Sequence, residues 1–558
     1  MYSKFKKNYQ KHENIYSLLI VLLIGCLFSL WLLKPGIING HDMTFHLSRI
    51  KGLRDSILNG DFRALIHSGL YGYGYANGLF YGNLLLYIPA LVAVKGINLI
   101  NSYKVYVAFC TFASAISMYI CAKSITHSNK VGIFGSFLYS ACSYKMVDFI
   151  IRAAVGEIGA FVFIPIIVLG LYELIYRDYK KWWIFSIGFV GLVQCHLIST
   201  ILVAFVTVAM IIANYERFFK EKKRIFYLIL SGIVGLLIGA YFILPLLQGL
   251  YKNQMIVNLN SFPIWNYTVP FEKLFLGFPY YGWDDSPFMP SGIGLVFIII
   301  TFYRFKIKPK KDDSLIKFCD LSIILAFLTL VCATDFFPWA ELSFLQSIQF
   351  PWRLYLVSSF LFTISSSIII YYYLKGKKIK DIVKFIVPII ILAMIPYIVT
   401  EHYYRGHSNG GIFYNWDDYT VASGEYLPQG TDIKQLQERG DIVTSNHDIT
   451  INYEKKGNSV VVDYSNNNYS DTTYIEIPLL YYYGYYAYDE NGVQYDVQKG
   501  ENNIIRVLLP EEQGTMTVYY KGTMIQKCSV WISLFSILGL IIYIFRNKLI
   551  KRCKNEKR

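Results

Sequence analysis

Apolar runs, each near the length needed to cross a bilayer, recur along the chain and are separated by short polar or basic links. They begin with Ile15 to Leu33, continue through about Tyr103–Cys121 and Val131–Tyr144, and end at about Cys528–Phe545. Leu84–Ile97 is also apolar, but it is short and Pro89 interrupts it, so it reads as re-entrant or interfacial. Counted this way, the pattern predicts about twelve spanning helices. Between Glu401 and Lys527 the period changes from helical to alternating. Asp448–Tyr453, Ser459–Tyr464 and Thr517–Tyr520 read as strands, and Glu490-Asn491-Gly492 as a turn. The predicted fold class is a polytopic α-helical membrane protein with an all-β, sandwich-like region near the C-terminus. Its core is residues 1–400, its β-rich region 401–527, and its final helix and basic tail 528–558.

One polar stretch interrupts this scheme early. Asn39-Gly40-His41-Asp42-Met43-Thr44-Phe45-His46 follows the first apolar run, so a carboxylate and two imidazoles lie close to a membrane surface. Beyond it, Met43, Leu47, Ile50, Leu53 and Ile57 recur at helical spacing and predict an amphipathic helix. A helix that starts near Asp42 places Asp42, His46 and Arg49 on one face, an acid, a base and a cation together. The same spacing also suits Asp42 as a helix cap with interfacial histidines.

Composition agrees with a membrane chain. Of 558 residues, 54% are hydrophobic and only 16% charged, with a mean hydropathy of +0.38. The net charge of +15 does not indicate nucleic acid, because lysine and arginine gather at the two ends and in short hydrophilic links. If those links are cytoplasmic, both termini are cytoplasmic as well. The segments 34–102, 148–157, 251–290 and 334–352 and the β-rich region then lie on the outer side of a bacterial plasma membrane. None of the nine cysteines falls between Glu401 and Lys527, and none has zinc-like spacing. The first apolar run is long and lacks a small-residue cleavage site, so it reads as an uncleaved anchor.

Ionisable residues collect on the predicted outer side, where they are costly near apolar segments and therefore point to function. The candidates are Asp42 and His46; Asp148, Arg152 and Glu157; His196; Lys273, Trp283, Asp284 and Asp285; and Gln349-Phe350-Pro351-Trp352-Arg353. Acid plus arginine suits glycosyl transfer. A carboxylate, Asp42, deprotonates an acceptor hydroxyl, and guanidinium forks at Arg152 and Arg353 hold a departing phosphate. Trp352 and Trp283 are candidates to stack on a sugar. Asp42 and His46 offer oxygen and nitrogen to a divalent ion such as Mg or Mn, but two ligands fall short of a site. Structural readings stand beside these: Asp148, Arg152 and Glu157 as ion pairs at a helix end, Arg353 as an interfacial anchor, and His196 as a hydrogen-bonded histidine in the membrane. Glycine-rich phosphate loops, nucleophile elbows and zinc motifs are absent from the sequence.

Four of these segments resemble bacterial YfhO-type membrane proteins and the related group labelled "pyruvoyl-tetrahydropterin synthase-related". They are Gly40–His46, the Asp148…Arg152…Gly156-Glu157 set, Gln349–Arg353 and Tyr482-Tyr483-Gly484-Tyr485-Tyr486-Ala487. Both groups look like members of the GT-C glycosyltransferase superfamily. The resemblance implies a helical membrane bundle, a catalytic aspartate in the first outer loop at Asp42, and a second acid in the next at Asp148 or Glu157. It also implies a polyprenyl-phosphate sugar as donor and a cell-envelope glycan or teichoic-acid-type polymer as acceptor. The first loop carries one acid, Asp42, where some members carry two, which bears on metal dependence. The expected function is thus an outer-face membrane glycosyltransferase with Asp42, His46 and Glu157 at the chemistry. Arg152, Arg353, Trp352, Asp148 and His196 would serve the donor. Its rivals are a flippase for a lipid-linked glycan and a non-catalytic envelope scaffold.

Overall fold

A computed structural model describes residues 2–256, 263–275, 277, 292–310, 312–407, 411–421, 423–466, 470 and 472–556. Trp283, Asp284 and Asp285 lie outside the described residues. Seven helices among those described are long and apolar enough to cross a membrane: His12–Leu33, Leu99–Thr126, Val155–Tyr176, Ser314–Val331, Pro351–Leu374, Ile379–His402 and Met524–Asn547. The pair Lys223–Ile238 and Ala240–Lys252, bent by 73°, makes an eighth if it is one span. The protein is an integral membrane protein, but helices of spanning length do not reach the predicted twelve. The rest of the count falls on helices below that length. Asn129–Ala141 stops at the extended Cys142, and Trp183–Cys195 is cut from Leu197–Ala213 by the extended His196. Leu295–Phe302 is only 8 residues long. Tyr87–Val94, inside the segment expected to be re-entrant, is also 8 residues; it rises about 12 Å, well short of a bilayer core of about 30 Å.

The chain divides into two compact units. The first takes residues 1–43, 104–235 and 261–415. Its central helix, Leu354–Leu374, is apolar around most of its circumference and buried along nearly its whole length, as expected for a helix with no solvent face. Ser358, Thr363 and Ser367 return their hydroxyls to carbonyls one turn back, so they enter this interior without stranding a donor. Val155–Tyr176 packs closely on Trp183–Cys195. A Cβ at Gly170 would lie 2.3 Å from the Phe185 backbone nitrogen, so only glycine permits that approach.

The second unit takes residues 44–103, 236–260 and 416–558. It holds two antiparallel sheets. One runs Thr444–Ser445, Tyr474–Leu480, Ile504–Leu508, Val497–Lys499; the other Thr450–Lys456, Ser459–Ser465, Gln513–Tyr520, Tyr485–Asp489, Gln494–Tyr495. The alternation read from Ser459–Tyr464 is realised: Val460, Val462 and Tyr464 point inward, opposite Val518, Met516 and Gly514. Tyr474–Leu480 is buried on both faces and so has no alternation to read. The tyrosine-glycine stretch at 71–78, whose composition suits either an ordered interfacial loop that meets a sugar or lipid head group or a plain irregular loop, mostly faces these strands. Tyr73 and Tyr75 are buried, the Tyr73 carbonyl accepts from Leu480 N–H at 2.7 Å, and the Tyr73 hydroxyl donates to Gly440 O at 2.6 Å.

Candidate functional site

In the first unit three of the sequence segments meet. Cys142 ends one helix and Ser143–Met146 begins the next, which passes into a π-helical turn, Val147–Arg152. Ala153 closes that turn in the left-handed region (φ +54°), and a new helix starts at Val155. This path carries Asp148, Arg152 and Glu157 to one point in a buried environment. Arg152 Nη1 donates to Asp148 Oδ1 at 2.6 Å, to Glu157 Oε1 at 2.9 Å and to the Tyr144 hydroxyl at 3.1 Å. The Tyr144 hydroxyl donates to Glu157 Oε2 at 2.5 Å.

The second segment arrives from far along the chain. Pro351 opens the turn Pro351–Arg353, and Gln349 before it takes a left-handed conformation (φ +65°). Arg353 Nε thereby reaches Glu157 Oε1 at 3.1 Å, while its Nη1 donates to Gln349 Oε1 at 2.7 Å and to Ile348 O at 3.0 Å. Glu157 therefore bridges two guanidinium groups, and all four ionisable side chains are buried. Such a group is stable only as a set, because removing one partner leaves a buried charge uncompensated. Trp352 stacks on Phe350 (4.5 Å, 12°) with Tyr267 edge-on to both rings, and its buried indole N–H has no hydrogen-bond partner among the described residues.

The third segment is the early polar stretch. Ile37–Ile38 pairs with Ile412–Phe413, and Asn39 N–H donates to Gly411 O at 3.1 Å. The chain then crosses the π turn: His41 N–H donates to Ile151 O at 3.2 Å and Asp42 N–H to Arg152 O at 2.9 Å. Gly40 makes the crossing possible, since a Cβ there would sit 2.6 Å from Ile151 O and 2.8 Å from Ala153 Cβ. Asp42, half-buried, thus hangs beside Arg152, and their charges interact. His196 sits at the helix break. Its Nδ1 lies 2.7 Å from Ser199 Oγ and accepts from Ser199 N–H, and its ring is close enough to Glu157 for their charges to interact.

His46 and Arg49 belong to the second unit and hold one another there. The amphipathic helix forms as Met43–Leu58, with Met43, Leu47, Ile50, Leu53 and Ile57 buried. Arg49 is wholly buried on this helix: Nη1 lies 3.4 Å from His46 Nδ1, and Nη2 donates to Gly82 O at 2.9 Å and Asn83 Oδ1 at 3.0 Å. Its guanidinium lies 3.8 Å from the Tyr81 ring centre. This is a clamp on the Tyr81–Asn83 loop. Burial, with Arg49 nearby, pushes the His67 imidazole down to about 3, so it is neutral at physiological pH.

Among the described residues no three His, Cys, Asp or Glu side chains come together as a metal site. Asp42 and His46, the two candidate ligands, fall in different units. Two groups escaped the sequence reading. Tyr144 carries no motif signal of its own. Lys145 is fully buried, donates to Ser114 Oγ at 2.7 Å and faces the Tyr139, Phe149 and Phe161 rings; a lysine inside an apolar run is a signal that was present.

No known family model matches the chain. An uncharacterized protein of Lactococcus lactis subsp. cremoris (strain MG1363) is 22% identical over 625 aligned positions, covering 98% of this chain and 97% of its own. Two cryo-EM structures of the arabinofuranosyltransferase AftD from mycobacteria, one of them a mutant, are loosely similar, each with a TM-score of 0.42. They are 11% and 12% identical and overlap 69% of this chain. The chain spans about a quarter of the AftD length, 26% and 27% in the two cases. What the chain does is therefore argued from its own residues.

Proposed function

We propose that this protein is an integral membrane glycosyltransferase that moves a sugar from a polyprenyl-phosphate donor to a cell-envelope glycan on the outer face of a bacterial plasma membrane. The observation that carries the reading is the crossing of the Gly40–Asp42 segment over the π turn, which sets a half-exposed carboxylate beside the buried Arg152, whose partner Glu157 also holds Arg353. Asp42 takes the proton of the acceptor hydroxyl. The acceptor oxygen forms its bond to the anomeric carbon as the bond from that carbon to the phosphate oxygen breaks. Arg152 and Arg353 neutralise the charge that develops on the departing lipid phosphate. Glu157 and Tyr144 position the arginines, and Trp352 supplies an indole N–H at the same wall. His46 serves Arg49 in this reading and has no chemical step.

The β-rich region is proposed to hold the acceptor. A cleft of about 380 Å³ there is lined by Gln435, Glu438, Arg439, Glu501 and Asn502, side chains that suit hydroxyl groups. The outward orientation is supported by the basic composition of the opposite loops. The test is envelope-glycan composition in a strain carrying Asp42→Asn at wild-type protein level. Removing the base is expected to slow transfer by about 10²–10⁴-fold, with one decoration lost and its lipid-linked donor accumulating. Unchanged glycans and donor pools would refute the transferase.

A further inference from the structure

The two carboxylates of the buried cluster are held very unequally. Glu157 has three partners: Arg152 and Arg353 on one oxygen and Tyr144 on the other. Asp148 has one, a single N–H nitrogen of Arg152 that also serves Glu157 and Tyr144. Its other oxygen, Oδ2, is buried and has no hydrogen-bond partner among the described residues. A bare anionic oxygen in such a place is expensive, and a proton on it removes most of the cost. Burial, joined by the neighbouring Glu157 carboxylate, pushes the Asp148 carboxyl well above the usual carboxylate range against the opposing pull of Arg152.

The arginines, by contrast, have donors to spare. Arg152 spends only Nη1 on the protein, and Arg353 spends Nε and Nη1. Nε and Nη2 of Arg152 and Nη2 of Arg353 meet no acceptor among the described residues. The other groups around the cluster are the Tyr144 hydroxyl, the half-exposed Asp42, the His41 ring near Arg152, the His196 ring near Glu157, the Cys142 thiol near Asp148 and the Lys145 ammonium, which is turned to Ser114.

We propose that Asp148 is held as a carboxylic acid, so that Arg152, Arg353 and Glu157 together carry one net positive charge and form a seat for a singly charged phosphodiester. That is the linkage of a lipid monophosphate sugar; a doubly charged diphosphate overfills the seat. The anion's identity as a sugar donor rests on the transferase reading, but the charge state does not.

The experiment uses the full chain in lipid nanodiscs. Infrared spectra with aspartate carboxyls isotopically labelled are expected to show one protonated aspartate at pH 7, present in wild type and lost in Asp148→Asn. Labelling of the wild type alone keeps the test decisive if that variant fails to fold. Binding is then measured with two soluble probes, the methyl ester of a short prenyl phosphate and that of the matching diphosphate. The phosphodiester is expected to bind about tenfold tighter, the scale of one uncompensated charge near a protein surface. Asp148→Asn, which leaves the charge of the seat as it is, is expected to keep that preference. An ionised Asp148 at pH 7, a wild-type preference for the diphosphate, or binding of neither probe overturns the inference. A protonated Asp148 with phosphodiester preference, but no consumption of a lipid-linked sugar, upholds it and refutes the transferase instead.

Discussion

Gly40→Ala is a small change with a large expected effect, because of where the added methyl must go. It would lie 2.6 Å from Ile151 O, 2.8 Å from Ala153 Cβ and 3.1 Å from Ala153 N. Two of these three atoms are backbone, and Ile151 O is the acceptor for His41 N–H. The neighbours cannot rotate away, so the strand carrying Asp42 must lift. Overpacking of this kind costs about 1–3 kcal/mol, and the hydrogen bond lost with it adds about 0.5–1.5 kcal/mol. The chain avoids most of that cost by moving Asp42 outward, and a shift near 1 Å at a reacting group lowers rate by on the order of 100-fold. The assay is initial-rate transfer of labelled sugar from a lipid-linked donor in membranes, with protein amount and melting temperature measured alongside. The expected result is a rate near that of Asp42→Asn with little change in donor KM, since the arginines are untouched. A Gly40→Ala protein within twofold of wild type would show that the crossing does not position Asp42 for chemistry.

Three further outcomes follow from other parts of the molecule. Arg353→Ala is expected to destabilise the first unit by about 3–5 kcal/mol by leaving Glu157 under-compensated, whereas Arg353→Lys keeps the charge but loses the forked geometry and should raise donor KM; thermal melts and kinetics separate the two. His67 is neutral when folded and has an ordinary value when unfolded, so from about pH 6.5 downward the unfolded chain binds the extra proton and stability falls. The loss is about 2 kcal/mol by pH 5, and a His67→Gln protein should show a flatter dependence of melting temperature on pH. Arg49→Lys cannot serve Gly82 O, Asn83 Oδ1 and the Tyr81 face together, so hydrogen exchange at residues 81–83 is expected to rise while the strands at 459–465 and 513–520 stay protected.

Parts of this were legible because they rest on local rules. The period of Met43–Ile57 announces its helix, and the alternation of Ser459–Tyr464 its strand. The spacing of Asp148 and Arg152 announces an ion pair. The convergence was not legible, because Arg353 meets Glu157 across 196 positions and no local pattern encodes that pairing. Nor does spacing show that His46 and Arg49 bind each other while Asp42 crosses the π turn. The count of twelve spans is not confirmed, because hydropathy does not register helix length: Trp183–Cys195 and Leu197–Ala213, on either side of the extended His196, both fall below spanning length. Tyr474–Leu480 shows the converse, a strand hidden by being buried on both faces.

The π turn at Val147–Arg152 has a consequence for how the sequence can change. Such a turn holds a surplus residue relative to an ordinary helix, and each residue in a helix advances the chain by about 100°. Deleting one residue between 147 and 153 therefore does more than shorten a loop. It lets the segment relax into regular helix and pulls out of place the Ile151 and Arg152 carbonyls that hold His41 and Asp42, together with the Arg152 side chain that holds Glu157. Substitutions here would be graded in effect, but insertions and deletions would act as a latch that is either closed or open. Among related chains, length in this stretch should be invariant even where its letters drift, and a library of single-residue deletions across it would read that frame directly.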